Sequence, residues 1–232
     1  MSHLPHPAGG SVFSGYVPQE LLLLSLKTPV YEPATLLTGQ VYEAGSVLGR
    51  ITAGAVSSAA KSGGNTGNGT FVLDATNPKR LGVKAGIYAL RVVELHAVHD
   101  YTVELRDPDG FSLGNYRLTG TGASITIDND VKGVLTDGGT DFVVGDGFDI
   151  TVAVGSNKLT LSAAAAEDGS AVPFAVLAER VDASAADKNC PVVVEGYFNE
   201  EALVFGAGHT ADTVRVALRD RGIHMRTMRY SG

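Results

Sequence analysis

From Thr70 to Val154 the chain repeats one theme: a short run rich in β-branched and aromatic residues, a polar turn, then another run. The runs are TFVLDA, GIYALRVVEL, DYTVELRD, GNYRLTGT, ASITIDN and TDFVVGDGFDITVAV. Turn signals such as Asp107-Pro108-Asp109-Gly110 and Asp137-Gly138-Gly139 separate them. Short strands with regular turns point to an all-β sandwich. Within DYTVELRDPDG, Tyr101, Val103 and Leu105 alternate with Thr102, Glu104 and Arg106, as in a strand with one face buried.

Two stretches of linker composition bracket this region. SSAAKSGGNTGNGT (Ser57–Thr70) is small, polar and Gly/Ser/Asn-rich, the make-up of a flexible connector. VGSNK (Val154–Lys158) is a second polar turn. Between them lie about ninety residues, 66–156, a plausible size for an independent domain. The pattern predicts a guest domain placed in a surface loop of a host formed by residues 20–65 and 157–232.

The host segments are also strand-rich. ELLLLSLKTPVY (Glu20–Tyr31) predicts a strand ending near Pro29. GQVYEAGSVLGRIT predicts two short strands around Ala44-Gly45, and VPFAVLAERV and CPVVVEGYFN predict two more. In NEEAL, Asn199 is a candidate N-cap ahead of acidic residues. TADTVRVALRDRG predicts one helix with Val214, Ala217 and Leu218 at helical spacing and Gly222 as its stop. IHMRTMRY then predicts a final strand. In Asp168–Ser184, a turn at Asp168-Gly169-Ser170 leads into a buried strand over Val172–Leu177, and Asp182–Asp187 forms an exposed turn. The expected fold is mainly β: a β-rich α+β domain with one C-terminal helix, plus an inserted all-β, Ig-like sandwich. Residues 1–19 hold three prolines and three glycines with no period, and are expected to form a flexible arm.

Composition narrows the function classes. Hydrophobic residues at 44% and charged residues at 19% fit a globular chain rather than a disordered one. A formal net charge of −7 argues against a general nucleic-acid binder, which needs a basic footprint. The apolar run LLLLSL (Leu21–Leu26) is too short to span a bilayer, and no basic flank marks it as a signal peptide. A soluble protein made in the cytoplasm, without direct contact to membrane or nucleic acid, is expected. The single cysteine, Cys190, cannot form an internal disulfide, and no His or Asp is evidently set to activate it.

No catalytic, cofactor or metal constellation survives inspection. His96 and His99 would face opposite sides of an extended strand, with no third ligand at matching spacing. His3 and His6 lie in the arm, and His209 and His224 stand apart. Asp128, Asp130, Asp137, Asp141, Asp146 and Asp149 are expected in solvated turns. DNDVKG departs from a calcium loop at Lys132 and lacks the closing Glu. GGNTGNG lacks the Gly-Lys-Ser/Thr ending of a phosphate loop, no Gly-x-Ser-x-Gly elbow is present, and SAAK stands without companion motifs.

Four stretches in fixed order carry a family resemblance: AGSVLGRIT (Ala44–Thr52), EDGSAVPFAVLAERVDASAAD (Glu167–Asp187), PVVVEGYFNEEAL (Pro191–Leu203) and ALRDRGIHM (Ala217–Met225). Together they resemble the head decoration protein D family of tailed bacteriophages, the lambda-like capsid cementing proteins. The resemblance covers about residues 20–57 and 158–225, and the segment from about 66 to 156 lies outside it. It implies a non-enzymatic virion protein on the outer capsid surface. Such a protein binds the major capsid protein as a homotrimer at three-fold and quasi-three-fold sites of the expanded head, and holds the shell against packaged DNA. The resemblance also implies an N-terminal arm that orders on the shell. Phe13, Tyr16 and Val17 are the candidate apolar anchors, suited to strand addition at an exposed sheet edge. The alternative is a displayed sandwich that recognises a host surface or glycan, with Phe111 and Tyr116 as candidate contacts.

Overall fold

The computed structural model describes residues 22–24 and 28–227. The protein is mainly β, with one α-helix among the described residues. It divides into two compact units. One combines the described residues up to Leu48 with those from Pro173 onward; the other is Gly49–Val172. The first unit is therefore assembled from two separated pieces of chain.

The chain begins the first unit with β1 (Val30–Leu36), β2 (Val41–Tyr42) and β3 (Val47–Arg50). Pro29 precedes β1 instead of ending a strand, as its lack of an N–H suits a position ahead of the ladder. β2 and β3 flank Ala44-Gly45 as the turn residues predict.

The second unit supplies β4 (Ala53–Ala60), β5 (Thr70–Leu73), β6 (Gly86–Ala97), β7 (Asp100–Arg106), β8 (Ser112–Thr119), β9 (Ser124–Asp128), β10 (Lys132–Thr136), β11 (Gly147–Val154) and β12 (Leu159–Leu161). A five-stranded sheet runs β4-β11-β6-β7-β8, and a three-stranded sheet runs β5-β10-β9. Tyr88, Leu90, Tyr101, Val103, Leu105 and Ile150 of the larger sheet share one buried cluster with Phe71, Ile127 and Leu135 of the smaller. Phe142 stands edge-on to both Tyr101 and Phe148, at ring-centroid separations of 5.5 and 6.1 Å. The alternation expected of Tyr101, Val103 and Leu105 is present, with all three buried.

The connector expected over Ser57–Thr70 is corrected in its first part. Ser57, Ser58, Ala59 and Ala60 belong to β4 and pair with Thr151, Ile150, Asp149 and Phe148 of β11. Small side chains suffice there because β4 lies at the sheet edge. The loop that follows is fixed by distant side chains. Asn65 Oδ1 accepts from the Gly147 N–H at 2.8 Å, and Asp146 Oδ2 accepts from the Thr66 and Gly67 N–H groups at 3.0 and 3.1 Å.

The chain returns to the first unit through β13 (Pro173–Leu177), β14 (Val181–Asp182), β15 (Lys188–Asn199) and β16 (Ile223–Arg226). β15 is central: Val193 pairs with Tyr31 of β1 on one side and Val176 of β13 on the other. Its far end pairs in parallel with β16, Gly196 with Ile223 and Phe198 with Met225. A parallel pair needs a crossover, and helix α1 (Ala211–Arg219) provides it. Thr210 caps α1 by a reciprocal exchange with Thr213, and Gly222 beyond its end adopts φ +84°. Val214 and Leu218, four apart on one face, are buried with Val176, Val193, Phe198, Ile223 and Met225. Asn199 accepts from the Glu201 N–H and caps the 3₁₀ turn Glu200–Ala202.

Candidate functional site

Phe13, Tyr16 and Val17 lie outside the described residues. Leu22, Leu23 and Leu24 are fastened to the first unit. Leu22 is buried in the first unit's core beside Phe198. Leu23 bridges antiparallel to Phe198, and the Leu24 N–H donates to the Tyr197 carbonyl at 2.9 Å. On the same unit, the Asp182–Asp187 turn is exposed apart from Ala183. Asp182 Oδ1 accepts from the Ser184 N–H and hydroxyl, and the Ala183 carbonyl accepts from Gly39 N–H.

The Asp168-Gly169-Ser170 turn has an internal task. Asp168 Oδ1 accepts from the Ser170 N–H at 3.0 Å and its hydroxyl at 2.6 Å, closing an Asx turn. The Asp168 carbonyl accepts from both Thr52 and Ala53 N–H groups, at 2.8 and 2.9 Å. A Cβ on Gly49 would lie 1.8 Å from the Ser170 carbonyl oxygen, and one on Gly169 would lie 1.9 Å from Thr52 Oγ1. Two glycines thus allow two backbones to touch. The buried strand that follows starts at Pro173, not Val172, whose side chain is 53% exposed.

The aspartates of the sandwich are mostly spent on structure. Asp128 is paired with Arg80, Asp149 with Arg91, and Asp130 accepts from the Tyr88 hydroxyl. Phe111, at the β7–β8 turn, is 69% exposed, whereas Tyr116 packs partly against the core. His96 Nε2 meets Thr102 Oγ1 at 2.9 Å. Cys190 is half-buried, and burial pushes its thiol upward, away from reactivity.

His99 differs from these. It sits in the turn joining β6 to β7 at φ +55°, a conformation that costs a non-glycine residue roughly 1–2 kcal/mol. Its Nδ1 lies 2.7 Å from Asp137 Oδ2 and 2.8 Å from Asp141 Oδ1. Its N–H donates to Asp141 Oδ1 at 3.0 Å, and its carbonyl accepts from Gly120 N–H at 2.7 Å. No third ligand stands at matching spacing with His99 along the chain; its ligand-type neighbours come from a loop about forty residues away in sequence, which no local spacing signals.

The carboxylates set a pH dependence. Asp74 is held below the usual range by the Asn77 N–H and Lys132, Asp107 by Lys84, and Asp128 by Arg80. Arg117 holds Asp100 down to about 2. Burial pushes Asp146 upward, but the N–H groups of Gly67, Val143 and Thr66 prevail and leave it lowered. Each folded-state value lies below its unfolded value. The stabilisation is therefore complete above the unfolded carboxylate range and disappears as pH falls through the folded values. Urea midpoints are expected to be level from pH 7 to 5 and to drop below about pH 4. A midpoint unchanged down to pH 2 would refute this.

Comparison with known proteins adds one match. The family model for bacteriophage lambda head decoration protein D matches residues 15–224. No curated protein and no solved structure matches the chain.

Proposed function

This chain belongs to the bacteriophage lambda head decoration protein D family, and from that membership we propose a specific mode of capsid decoration. The protein binds as homotrimers at three-fold and quasi-three-fold sites on the outer surface of the expanded head. It contacts the major capsid protein and stabilises the shell against the pressure of packaged DNA. In this reading the sandwich centred on residues 66–156 is a guest displayed by the decoration domain. The observation that carries the proposal is the family match, which runs through both pieces of the first unit and includes Tyr16 and Val17 of the arm.

The physical logic concerns the arm. Ordering a flexible segment costs roughly 1–2 kcal/mol per residue, so it needs backbone hydrogen bonds and apolar contacts in return. Strand addition to a capsid sheet edge supplies the bonds, and Phe13, Tyr16 and Val17 supply the contacts. The Leu22 anchor on β15 gives the arm a fixed root from which to reach a neighbour.

The test is co-sedimentation with expanded, undecorated shells of the cognate phage. The full chain is compared with one lacking Met1–Gln19 and with a Phe13→Ala, Tyr16→Ala, Val17→Ala variant. Saturation at one trimer per three-fold site is expected. Affinity is expected to fall at least about tenfold in the triple variant and further in the deletion. Failure of the full chain to bind competent shells overturns the proposal. Full affinity in the deletion overturns the role of the arm.

A further inference from the structure

The geometry points to a divalent-metal site in the Gly49–Val172 unit: we propose that His99, Asp137 and Asp141 hold a first-row transition ion such as zinc. Their ligand atoms already lie within 4.8 Å of one another. Spacing along the sequence predicts no metal here, so the inference rests on the fold instead.

Burial makes the cluster more than a group of acidic residues. The Asp137 side chain is 0% exposed, and neither of its oxygens has a hydrogen-bond partner. Its Oδ2 faces His99 Nδ1 at 2.7 Å, but that contact lacks hydrogen-bond geometry. The Tyr101 hydroxyl is also buried, beside Asp137 but without hydrogen-bond geometry to it. Among the described residues, no lysine or arginine is ion-paired with Asp137 or Asp141. One Nδ1 proton cannot serve two carboxylates. Folded proteins seldom bury a carboxylate side chain without a hydrogen-bond partner, and a divalent cation would supply one for Asp137.

The ligands are held by the fold. The Asp137 N–H donates to the Ala123 carbonyl at 2.9 Å, and Asp141 precedes Phe142, whose ring packs edge-on to Tyr101. His99 is fixed by its own backbone bonds to Asp141 and Gly120. The site has an entry side, because the Asp141 side chain is 40% exposed. Zinc bound to nitrogen and oxygen at about 2.0–2.2 Å in a tetrahedron separates ligand atoms by about 3.3 Å. The His99–Asp141 separation of 2.8 Å must widen by about half an ångström, which the partly exposed Asp141 can absorb, and the His99–Asp137 separation of 2.7 Å must widen as much by a shift of the His99 ring. A water would complete the tetrahedron. One imidazole with two carboxylates suits zinc, manganese or nickel better than a soft ion. A bound ion would tie the β6–β7 turn to the loop between β10 and β11.

The test titrates the metal-stripped full chain with zinc chloride by isothermal calorimetry and follows thermal unfolding in parallel. His3→Ala, His6→Ala in one chain removes the arm histidines. His99→Asn removes a ligand while keeping a residue that tolerates positive φ. Asp141→Asn alters a half-exposed ligand and is the safer variant for folding. One zinc per chain is expected in the parent and in the arm variant. Affinity is expected to fall at least about a hundredfold in His99→Asn and about tenfold or more in Asp141→Asn. Zinc at a hundred times its dissociation constant is expected to raise the melting temperature by roughly 5–10 °C in the parent and not in His99→Asn. Three results overturn the proposal: no stoichiometric binding by the parent, binding that survives both ligand variants, or binding lost with the arm histidines. None of these outcomes depends on capsid binding.

Discussion

Replacing Asp146 by alanine is expected to destabilise the Gly49–Val172 unit by about 3–5 kcal/mol. One carboxylate oxygen, Oδ2, accepts from the N–H groups of Thr66, Gly67 and Val143 at 3.0, 3.1 and 3.1 Å. Asp146 is buried, and Lys61 Nζ stands 3.9 Å from its other oxygen. The residue thus closes the loop after β4 onto the loop before β11, across about eighty residues of sequence. Alanine removes the acceptor and leaves three donors without partners, each costing roughly 1–3 kcal/mol when water cannot reach it. Water entering the vacated space recovers part of that cost, which keeps the expected loss below the full sum. The Asp146→Asn variant retains an acceptor oxygen but loses the charge, so a loss of about 1–2 kcal/mol is expected. Urea unfolding followed by circular dichroism measures both. Amide exchange adds a local readout, since Thr66, Gly67 and Val143 should lose protection in the alanine variant before the strands do. A loss under about 1 kcal/mol for Asp146→Ala would show that the loop does not depend on this carboxylate.

The same residue shows where local sequence stops being informative. β7 is legible because one face is buried and its residues alternate accordingly. β10, KGVLT, alternates equally well, yet its inward positions are Gly133 and Leu135 while Val134 points outward. The Phe71 ring occupies the space where a Gly133 side chain would stand: a Cβ there would lie 2.4 Å from the ring. The hydrophobic signal of β10 has in effect moved to another strand. β4 escapes notice for a related reason, since small residues at a sheet edge have the composition of a linker. The His99 cluster is less legible still. Its members share no spacing; the packing of Phe142 against Tyr101 and the bonds of Thr140 with Asn68 bring Asp141 to the β6–β7 turn. Alternation along a strand reports its own burial, but not which distant side chain fills the opposite position.

Replacing Gly49 by alanine is expected to cost about 3 kcal/mol or more and to lower the yield of folded protein. The added Cβ would lie 1.8 Å from the Ser170 carbonyl oxygen, 2.6 Å from its carbon and 2.9 Å from its Cα. All three are backbone atoms, so no side-chain rotation relieves the clash. The backbone cannot easily retreat either. Ser170 is tied to Asp168 Oδ1 through both its N–H and its hydroxyl, and the Asp168 carbonyl is tied to Thr52 and Ala53. Gly169 is constrained differently, by its φ of +93° and by the Thr52 side chain, whose Oγ1 stands against its missing Cβ. Gly139→Ala is the matched control, because a Cβ there meets nothing within 4 Å, and a change within about 0.5 kcal/mol is expected. Equal stability of the two variants would sink the argument. Gly49 and Ser170 meet here although more than a hundred residues separate them in sequence. They are the two sides of one backbone-to-backbone contact: glycines at 49 and 169 permit it, and the Asp168 turn fixes its geometry. The Ile51 N–H reaches the Lys158 carbonyl at 3.0 Å and the Gly155 N–H reaches the Thr52 carbonyl at 2.9 Å. The entering and leaving chains lie side by side, so extending the loop between them adds only a slowly growing closure entropy.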